Sequence, residues 1–383
     1  MIGAVEVYWT VMRAPVLKLV DAAPKLTVEE AVRVVKKALE LAAQFEARGL
    51  SWRPHVDDVF IDDAKELVIA ETHGLSPLAY PSRFEIAPLL AALGNGLIPM
   101  PLALGPPSLV RLLLPYARPI DKTPRSIADT RRLVDAIDLQ TPTTPAENAA
   151  LTDIGLCRDH NDDVALVVGG SRTSWHALVV CDGVSSVAYS AGAAAVAART
   201  ARDEITRGAA TAMDARSIVA QASHAADLAV RKLASELSLE LRTKVALGTT
   251  IVMALVRGDE LAVAWVGDSR AYWVTERGEE QLTSDHSENK QLTSCLGMVD
   301  VDGRSAHVKP DVVTRTLGKK GALVLCSDGL WNHFPTTSAI ARLVNHVQST
   351  NKNSAILARF LVNSALAAGG SDNVSVAVHV RGA

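Results

Sequence analysis

Aromatic residues, cysteines and long apolar runs are all scarce in this sequence, and each shortage narrows the class of protein. Phe, Trp and Tyr make up 4% of the 383 residues, so Ala, Val and Leu must fill the core. The four cysteines show no CxxC spacing, so no redox or metal-binding thiol pair is indicated. No apolar run approaches the roughly 18 to 20 residues of a membrane span. The N-terminus also lacks the basic and apolar regions of a secretory leader, so we expect a cytoplasmic protein.

Positive charge is not in excess either. The formal net charge is -3, which argues against non-specific nucleic-acid binding and against a polybasic membrane anchor. Hydrophobic residues are 48% of the chain, which is typical of a globular protein. The length predicts two domains. The stretch Gln140-Thr141-Pro142-Thr143-Thr144-Pro145 has the composition of a linker, so we predict an N-terminal domain over residues 1–139, a linker over residues 140–145 and a C-terminal domain over residues 146–383.

The N-terminal region is predicted to be mainly helical. Thr27-Val28-Glu29-Glu30 is a capping box, and apolar residues continue at helical spacing to Gly49. A short strand, a turn at Asp62-Asp63 and a second strand are expected to follow. Residues 85–139 are rich in Leu, Ala and Pro, which favours short helices and loops.

The order of long helix and hairpin resembles part of a protein kinase C-lobe. Trp52-Arg53-Pro54 stands where that family has His-Arg-Asp, and Thr72-His73-Gly74 stands where it has Asp-Phe-Gly. The catalytic base and the magnesium-binding Asp of a kinase are missing at both positions, so we expect no kinase activity. The alternative is an unrelated helical domain.

Three acidic residues beyond the linker stand at the ends of apolar segments. Asp182-Gly183 follows the apolar residues 178–181, Asp328-Gly329 follows the apolar residues 323–326 and Ser327, and Asp372 precedes the apolar residues 374–380. Carboxylates drawn from distant segments are what a magnesium or manganese site requires. The alternative for Asp182 is a cap on a helix that begins near Tyr189.

The elements between these acids favour antiparallel pairing. Helices are expected over residues 189–207 and 212–241, and strands over residues 164–168, 251–256, 261–266 and 271–274. Short turns join the last three strands, which predicts hairpins and not a doubly wound parallel sheet. If the chain is extended before residue 164, Arg158, His160 and Asp162 point to one face; the alternative is a solvated charged loop.

From about residue 154 to residue 380 the chain resembles the metal-dependent serine/threonine protein phosphatases of type 2C, the PPM family. The resemblance implies an α+β fold, a four-layer α-β-β-α sandwich of two antiparallel sheets. Eight motifs in the family's order carry it: Arg158 with Asp162-Asp163, Asp182-Gly183, Gly248-Thr249-Thr250, Val266-Gly267-Asp268-Ser269-Arg270-Ala271, Leu282-Thr283-Ser284-Asp285-His286-Ser287, Thr314-Arg315-Thr316-Leu317-Gly318, Ser327-Asp328-Gly329-Leu330-Trp331 and Gly370-Ser371-Asp372-Asn373-Val374.

The same resemblance implies hydrolysis of phosphoserine and phosphothreonine by a hydroxide that bridges two Mg²⁺ or Mn²⁺ ions. It implies phosphoprotein substrates in the pathway of a serine/threonine kinase, with no nucleic-acid or membrane partner. The implied catalytic and metal-binding residues are Asp182 bridging both ions, Asp328 and Asp372 on one ion, Asp162 and the carbonyl of Gly183 on the other, Asp268 on a weaker third ion, and Arg158 on the substrate phosphate.

The sequence departs from the family beside the predicted metal site. Many members continue Asp-Gly with His or Met, whereas this chain has Val184, which cannot donate a proton. His160 is a candidate substitute as general acid, although a structural hydrogen-bond partner is the commoner role for such a histidine. The alternative function is a low-activity regulatory or binding module on the phosphatase fold. The presence of every metal-ligand carboxylate favours the active enzyme, since acids that repel one another would only destabilise a site that no longer binds metal.

Overall fold

The structure is a computed structural model that describes residues 146–382, apart from residues 171–172, 185–186, 188, 290, 299–307 and 350. In the N-terminal region it describes one helix and five short strands. The chain divides into two compact units, residues 1–139 and residues 140–383. In the described parts of both units, no helix has the length and apolarity that a membrane span requires.

The described part of the N-terminal unit consists of β1 (Leu17–Lys18), α1 (Val28–Ala47), β2 (Leu50–Trp52), β3 (Val59–Ile61), β4 (Leu67–Ile69) and β5 (Leu75–Pro77). The predicted amphipathic helix is confirmed as α1. The predicted hairpin is confirmed as the antiparallel pair β3 and β4, in which Val59 pairs with Ile69. The predictions for residues 85–139 and for the linker over residues 140–145 lie outside the described residues.

The second unit contains twelve described strands and five described helices. In chain order they are β6 (Asn148–Asp153), β7 (Asp163–Gly169), β8 (Trp175–Asp182), α2 (Ser190–Ala209), α3 (Ala215–Leu241), β9 (Ile251–Arg257), β10 (Glu260–Val266), β11 (Arg270–Thr275), β12 (Gly278–Gln281), β13 (Ser287–Glu288), β14 (Gln291–Leu292), β15 (Asp311–Thr316), β16 (Gly321–Cys326), α4 (Asp328–Trp331), α5 (Thr337–Gln348), α6 (Ser354–Ala368) and β17 (Val374–Arg381).

Two five-stranded antiparallel sheets form the core of this unit. The strand order is β15-β10-β9-β8-β7 in the first sheet and β12-β11-β16-β17-β6 in the second. Alternate residues of β8 enter two different apolar layers, because side chains alternate across a strand. Leu178 and Val180 pack between the sheets against Leu323 of β16, whereas Val179 packs under the alanine-rich face of α2 and α3.

Helices cover the outer face of each sheet. Helices α2 and α3 contact the first sheet, and α5 and α6 contact the second sheet. The predicted four-layer sandwich and its antiparallel strands are therefore confirmed. The apolar runs in the sequence are continuous, not alternating, because both faces of these strands are buried.

At two places the structure decides between the alternatives that the sequence left open. Residues 154–162 form turns and bends, not a strand, so alternation along an extended chain does not place Arg158, His160 and Asp162. Asp182 does not cap the following helix: α2 begins after Tyr189, which is in the left-handed conformation and makes no side-chain capping bond.

Candidate functional site

The predicted acidic residues meet at one end of the sandwich. Asp182 is the last residue of β8, and it pairs across the ladder with Asp163, the first residue of β7. Asp328 begins α4 directly after β16, and Asp372 lies two residues before β17. Because antiparallel strands of both sheets end or begin here, their terminal carboxylates lie at the same end of the sandwich.

The backbone of Asp182 is held by the Gly248-Thr249-Thr250 motif. The Asp182 N–H donates to Thr250 Oγ1 at 3.1 Å, and the Asp182 carbonyl accepts from Thr249 Oγ1 at 2.9 Å and from the Thr250 N–H at 2.8 Å. Thr250 Oγ1 also lies 2.8 Å from Ser269 Oγ. These bonds fix the end of β8, so the Asp182 carboxylate is presented from a rigid position.

Two glycines allow the segments of the site to approach closely. A Cβ at Gly183 would lie 2.6 Å from the carbonyl oxygen of Ser190, and a Cβ at Gly329 would lie 1.9 Å from the carbonyl oxygen of Asn373. Any side chain at either position would force the backbones apart. Glycine at position 329 thus lets the Asp328 turn pack directly against the Asp372 segment.

Burial and mutual repulsion raise the pKa values of these acids. The pKa of Asp182 lies well above its usual value because the carboxyl group is buried and then because Asp163, Asp328, Asp268 and Asp372 surround it. Burial raises the pKa of Asp163 to about 7, and hydrogen bonds from Ser327 and Ser375 oppose that rise. The pKa of Asp328 is raised by burial and by the charge of Asp372.

Asp268 joins this group from the turn before β11. Burial, then the charges of Asp328 and Asp285, raise the pKa of Asp268 to about 7. Its backbone carbonyl accepts a 2.9 Å hydrogen bond from the indole of Trp331. The Arg270 guanidinium lies 3.7 Å over the Trp331 ring and makes two hydrogen bonds to Asp285, at 2.9 and 2.7 Å. The position of Asp268 is therefore held by Trp331, which is itself held by the Arg270–Asp285 ion pair stacked on its ring.

Arg158 reaches the site from the loop and pairs with Asp372. Its Nη2 lies 2.6 Å from Asp372 Oδ2, and this hydrogen bond raises the pKa of the guanidinium. The structure thus brings the predicted phosphate ligand and one predicted metal ligand into direct contact.

The donor set fits a hard divalent cation in its chemistry. In the described chain, no three His, Cys, Asp or Glu side chains converge closely enough to hold a metal ion as they stand. The Asp372 carboxylate is engaged with Arg158, and Asp328 Oδ2 accepts a 3.0 Å hydrogen bond from Asn332. All the acidic groups offer oxygen ligands, and their mutual repulsion disfavours the site unless positive charge or protons balance it. Arg158 and Arg270 balance only part of it.

Asn373 holds the loop that carries Arg158. Its side-chain amide donates to the carbonyl oxygens of Ile154 at 2.9 Å and His160 at 3.0 Å, and its Oδ1 accepts from the Asp162 N–H at 2.8 Å. A buried side chain therefore orders residues 154–162 without strand pairing. The Leu156 N–H also donates to the Gly370 carbonyl at 2.7 Å, so the same distant segment holds the loop twice.

Asp162 and His160 form a pair at the margin of this loop. The His160 side chain is 74% exposed, and its Nε2 lies 3.2 Å from Asp162 Oδ2. This contact supports the role of hydrogen-bond partner for His160. The Asp162 carboxylate, which was predicted to bind the second ion, contacts His160. The neighbouring Asp163 is the residue of this motif whose charge interacts with Asp182, Asp328 and Asp372.

Sequence reasoning assigned no role to three residues that build the site. The first, Asp163, is fully enclosed. The second, Ser327, donates a 2.7 Å hydrogen bond from its Oγ to Asp163. The third, Asn373, holds the loop that carries Arg158. All three lie inside the eight motifs, so their position was visible in the sequence. In the pairs Asp162-Asp163 and Asp372-Asn373, the sequence contains no local signal that shows which side chain points into the protein.

Comparisons with known proteins show the family to which this part of the chain belongs. The family model described as protein phosphatase 2C matches residues 158–365. The serine/threonine phosphatase stp of Listeria welshimeri is 29% identical over 145 residues, which is 34% of this chain and 55% of that protein. Protein phosphatase 1E of Mus musculus is 31% identical over 157 residues, covering 34% of this chain and 21% of that protein. The chain thus spans about half the length, or less, of the curated relatives it matches.

A solved structure supports the fold. The serine/threonine phosphatase Stp1 from Staphylococcus aureus superposes with a TM-score of 0.50 and 25% identity, covering 63% of this chain and 96% of that chain. The family match begins at residue 158 and gives no support to the kinase-like interpretation of the N-terminal region. Since the family model covers more than half of the sequence, the chain belongs to the protein phosphatase 2C family.

Proposed function

We propose that residues 140–383 form a metal-dependent phosphatase that hydrolyses phosphoserine and phosphothreonine in proteins. The observation that carries the proposal is the group of partly or fully buried carboxylates, drawn from both sheets, that raise one another's pKa. Such a group is costly to retain in a binding module, because buried like charges destabilise the fold. Family membership and the resemblance to Stp1 agree with it.

The residues that would hold two Mg²⁺ or Mn²⁺ ions are Asp182 between them, Asp328 and Asp372 on one side, and Asp162 with the Gly183 carbonyl on the other, with Asp268 available to a third ion. Bound divalent cations would make water nucleophilic at neutral pH and would neutralise the phosphoryl oxygens. Asp163, which is enclosed beside Asp182, would help to position Asp328 because it accepts a hydrogen bond from the preceding residue, Ser327.

Arg158 would hold the substrate phosphate. A guanidinium makes two parallel charge-assisted bonds to phosphate oxygens, which fixes the ester for in-line attack. In this role Arg158 exchanges its present partner, the Asp372 carboxylate, for the phosphate. That exchange also frees Asp372 Oδ2 to act as a ligand, so the two predicted roles are compatible.

The leaving hydroxyl group takes its proton from solvent in this proposal. Val184 has no proton to donate, and the His160 imidazole is exposed and contacts Asp162. The substrates would be phosphoproteins made by a serine/threonine kinase. The alternative, a low-activity regulatory module on this fold, is not favoured by the comparisons.

The test is manganese-dependent release of phosphate from a phosphothreonine peptide. We expect activity with added Mn²⁺, none after treatment with a chelator, and none in Asp182→Asn. Asp203→Asn is the matched control, because Asp203 is an exposed acid on α2 that pairs with Arg202. Full activity after exhaustive removal of metal contradicts the metal-dependent mechanism, and a fully folded, metal-loaded but inactive protein favours the regulatory module.

A further inference from the structure

A basic cleft opens at the end of the sandwich opposite to the carboxylates. It has a volume of about 980 Å³ and is lined by the β11–β12 turn, the β15–β16 loop, the C-terminal end of α5 and the end of β17. Strand β16 begins at the cleft with Gly321 and leads to Asp328 at the other end. At ~3.3 Å per residue the two sites lie roughly 20 Å apart.

Among the residues that the structure describes, positive charge is in excess in this cleft. One described acid, Glu276, lines it, against five cationic side chains: Arg277, Lys319, Lys320, Lys352 and Arg381. In the part of the chain that the structure describes, the three lysines and Arg277 make no ion pair, and Arg381 pairs through Nη2 with Asp259. Like charges from four separate segments repel one another unless an anion lies between them.

Two residues that line the cleft also carry buried donor atoms without an acceptor in the described part of the chain. Arg381 Nη1 and Gln348 Nε2 are both inaccessible to solvent and have no hydrogen-bond partner among the described residues. A buried donor without an acceptor costs roughly 1 to 3 kcal/mol, and more when it is charged. An anionic ligand with several oxygen atoms would balance the exposed charges of the cleft, and the two donors would reach such a ligand only after their side chains turn outward.

The dimensions and lining favour a peptide. The volume exceeds that of a single phosphate ion and is large enough for a few residues of an extended chain. Among the described residues, no aromatic side chain lines the cleft, so it lacks the stacking surface that single-stranded nucleic acids use.

From these observations we propose that the cleft binds an acidic peptide segment, rich in Asp or Glu, of the phosphoprotein substrate. This inference rests on the proposed function. The phosphorylated residue would lie at the carboxylate end, and the acidic segment would lie at least about seven extended residues away along the substrate chain. Docking of this kind lowers KM for proteins with that pattern and leaves the chemical step unchanged.

Direct binding tests the cleft without catalysis. The probe is a short fluorescein-labelled polyglutamate peptide, and its affinity for the full chain is measured by fluorescence anisotropy at low and high salt. The double variant Lys319→Glu with Lys320→Glu is compared with Lys232→Glu and Lys244→Glu together. The second pair is also exposed, lies away from the cleft and changes the net charge equally.

We expect the wild type and the control to bind the peptide alike, with affinity that falls as salt rises, and the cleft variant to bind about tenfold more weakly. Equal loss in both variants, absence of binding, or tight binding of a single-stranded oligonucleotide in place of the peptide overturns the proposal.

Kinetics separate this proposal from the proposed function. Hydrolysis of para-nitrophenyl phosphate should be the same in wild type, cleft variant and control, whereas KM for a phosphothreonine peptide with an acidic extension should rise about tenfold in the cleft variant alone. An unchanged KM overturns the docking role. If the wild type hydrolyses no phosphate ester but still binds polyglutamate through Lys319 and Lys320, the proposed function fails and the peptide site stands.

Discussion

The two ends of the phosphatase sandwich carry opposite charge on the same strands. Strand β17 ends at Arg381 in the basic cleft, and Asp372 lies just before its first residue. Strand β16 begins beside Lys320 and leads to Asp328. The acids are partly or fully buried and repel one another, whereas most of the cations are exposed.

This difference shows how the two ends respond to their surroundings. Burial multiplies the electrostatic repulsion among the acids, because solvent screens it poorly there. The carboxylate end is therefore stable only when bound cations or protons offset the repulsion. The basic end is solvated, so it is stable without a bound anion. Changes at the first end should have large effects on activity and stability, and changes at the second end should have smaller, salt-dependent effects.

Removal of one central acid should give the largest effect. Asp182→Asn, Asp328→Asn or Asp372→Asn should each lower turnover by orders of magnitude, because each removes a ligand from the proposed ions. In metal-free buffer, Asp182→Asn should raise the midpoint of thermal unfolding, because it removes a buried charge that four other acids repel. Thermal melts with and without Mn²⁺ check both points, and a metal-free melt below that of wild type would contradict the repulsion argument.

A histidine at the opposite end should control stability at low pH. Burial, followed by the charges of His176 and Arg381, lowers the pKa of His379 from 6.5 to about 4. The unfolded chain therefore binds this proton more readily, so the contribution is complete above pH 6.5 and is lost as the pH falls toward 4. The full difference corresponds to roughly 3 kcal/mol.

His379→Gln should flatten this part of the stability profile. The side chain stacks on His176 at 4.4 Å between ring centres, and its Nδ1 lies 2.8 Å from Asn148 Oδ1; Glu147 and Arg381 are the nearby charged groups. Urea unfolding between pH 7 and pH 4 measures the slope, with the exposed His224→Gln as control. An equal slope in wild type and His379→Gln would show that other groups set it.

Loss of Arg158 should weaken substrate binding by the value of one charge-assisted contact. We expect Arg158→Ala to cost about 1.5 to 3 kcal/mol in kcat/KM, with little change in the Mn²⁺ concentration that gives half-maximal activity. Arg158→Lys should recover only part of the loss, because an ammonium cannot form the paired contacts. A large shift in the manganese requirement would instead place Arg158 among the groups that hold the metal.

Removal of residues 1–139 should have the smallest effect. Both ends of the sandwich lie within residues 140–383, which form a compact unit. We predict that a fragment beginning near Ala146 folds and keeps metal-dependent activity, and that the isolated N-terminal part does not phosphorylate a protein with ATP. Circular dichroism and phosphate release check the fragment; an insoluble fragment contradicts the predicted domain division.

The sequence alone predicted most of the secondary structure of the second unit and the identity of the acids. Helices α2 and α3 and strands β7 to β11, β16 and β17 agree with the prediction within a few residues, because apolar patterns and turn residues are local signals. Asp182, Asp328 and Asp372 were recognisable because each stands at the end of an apolar strand. For the loop before β7 the sequence left an extended chain and a charged loop as alternatives, because the order of this loop comes from Asn373, more than two hundred residues later.

Which groups meet was decided only by the tertiary structure. The strand register places Asp163 opposite Asp182, and the close packing at Gly329 brings the Asp328 turn against Asn373. The basic cleft draws Arg277, Lys319, Lys352 and Arg381 from four segments, none of which is unusually basic in the sequence. Local patterns set the elements and the chemistry they carry, whereas strand register, burial and backbone approach determine which charges become neighbours, since these depend on contacts between distant residues.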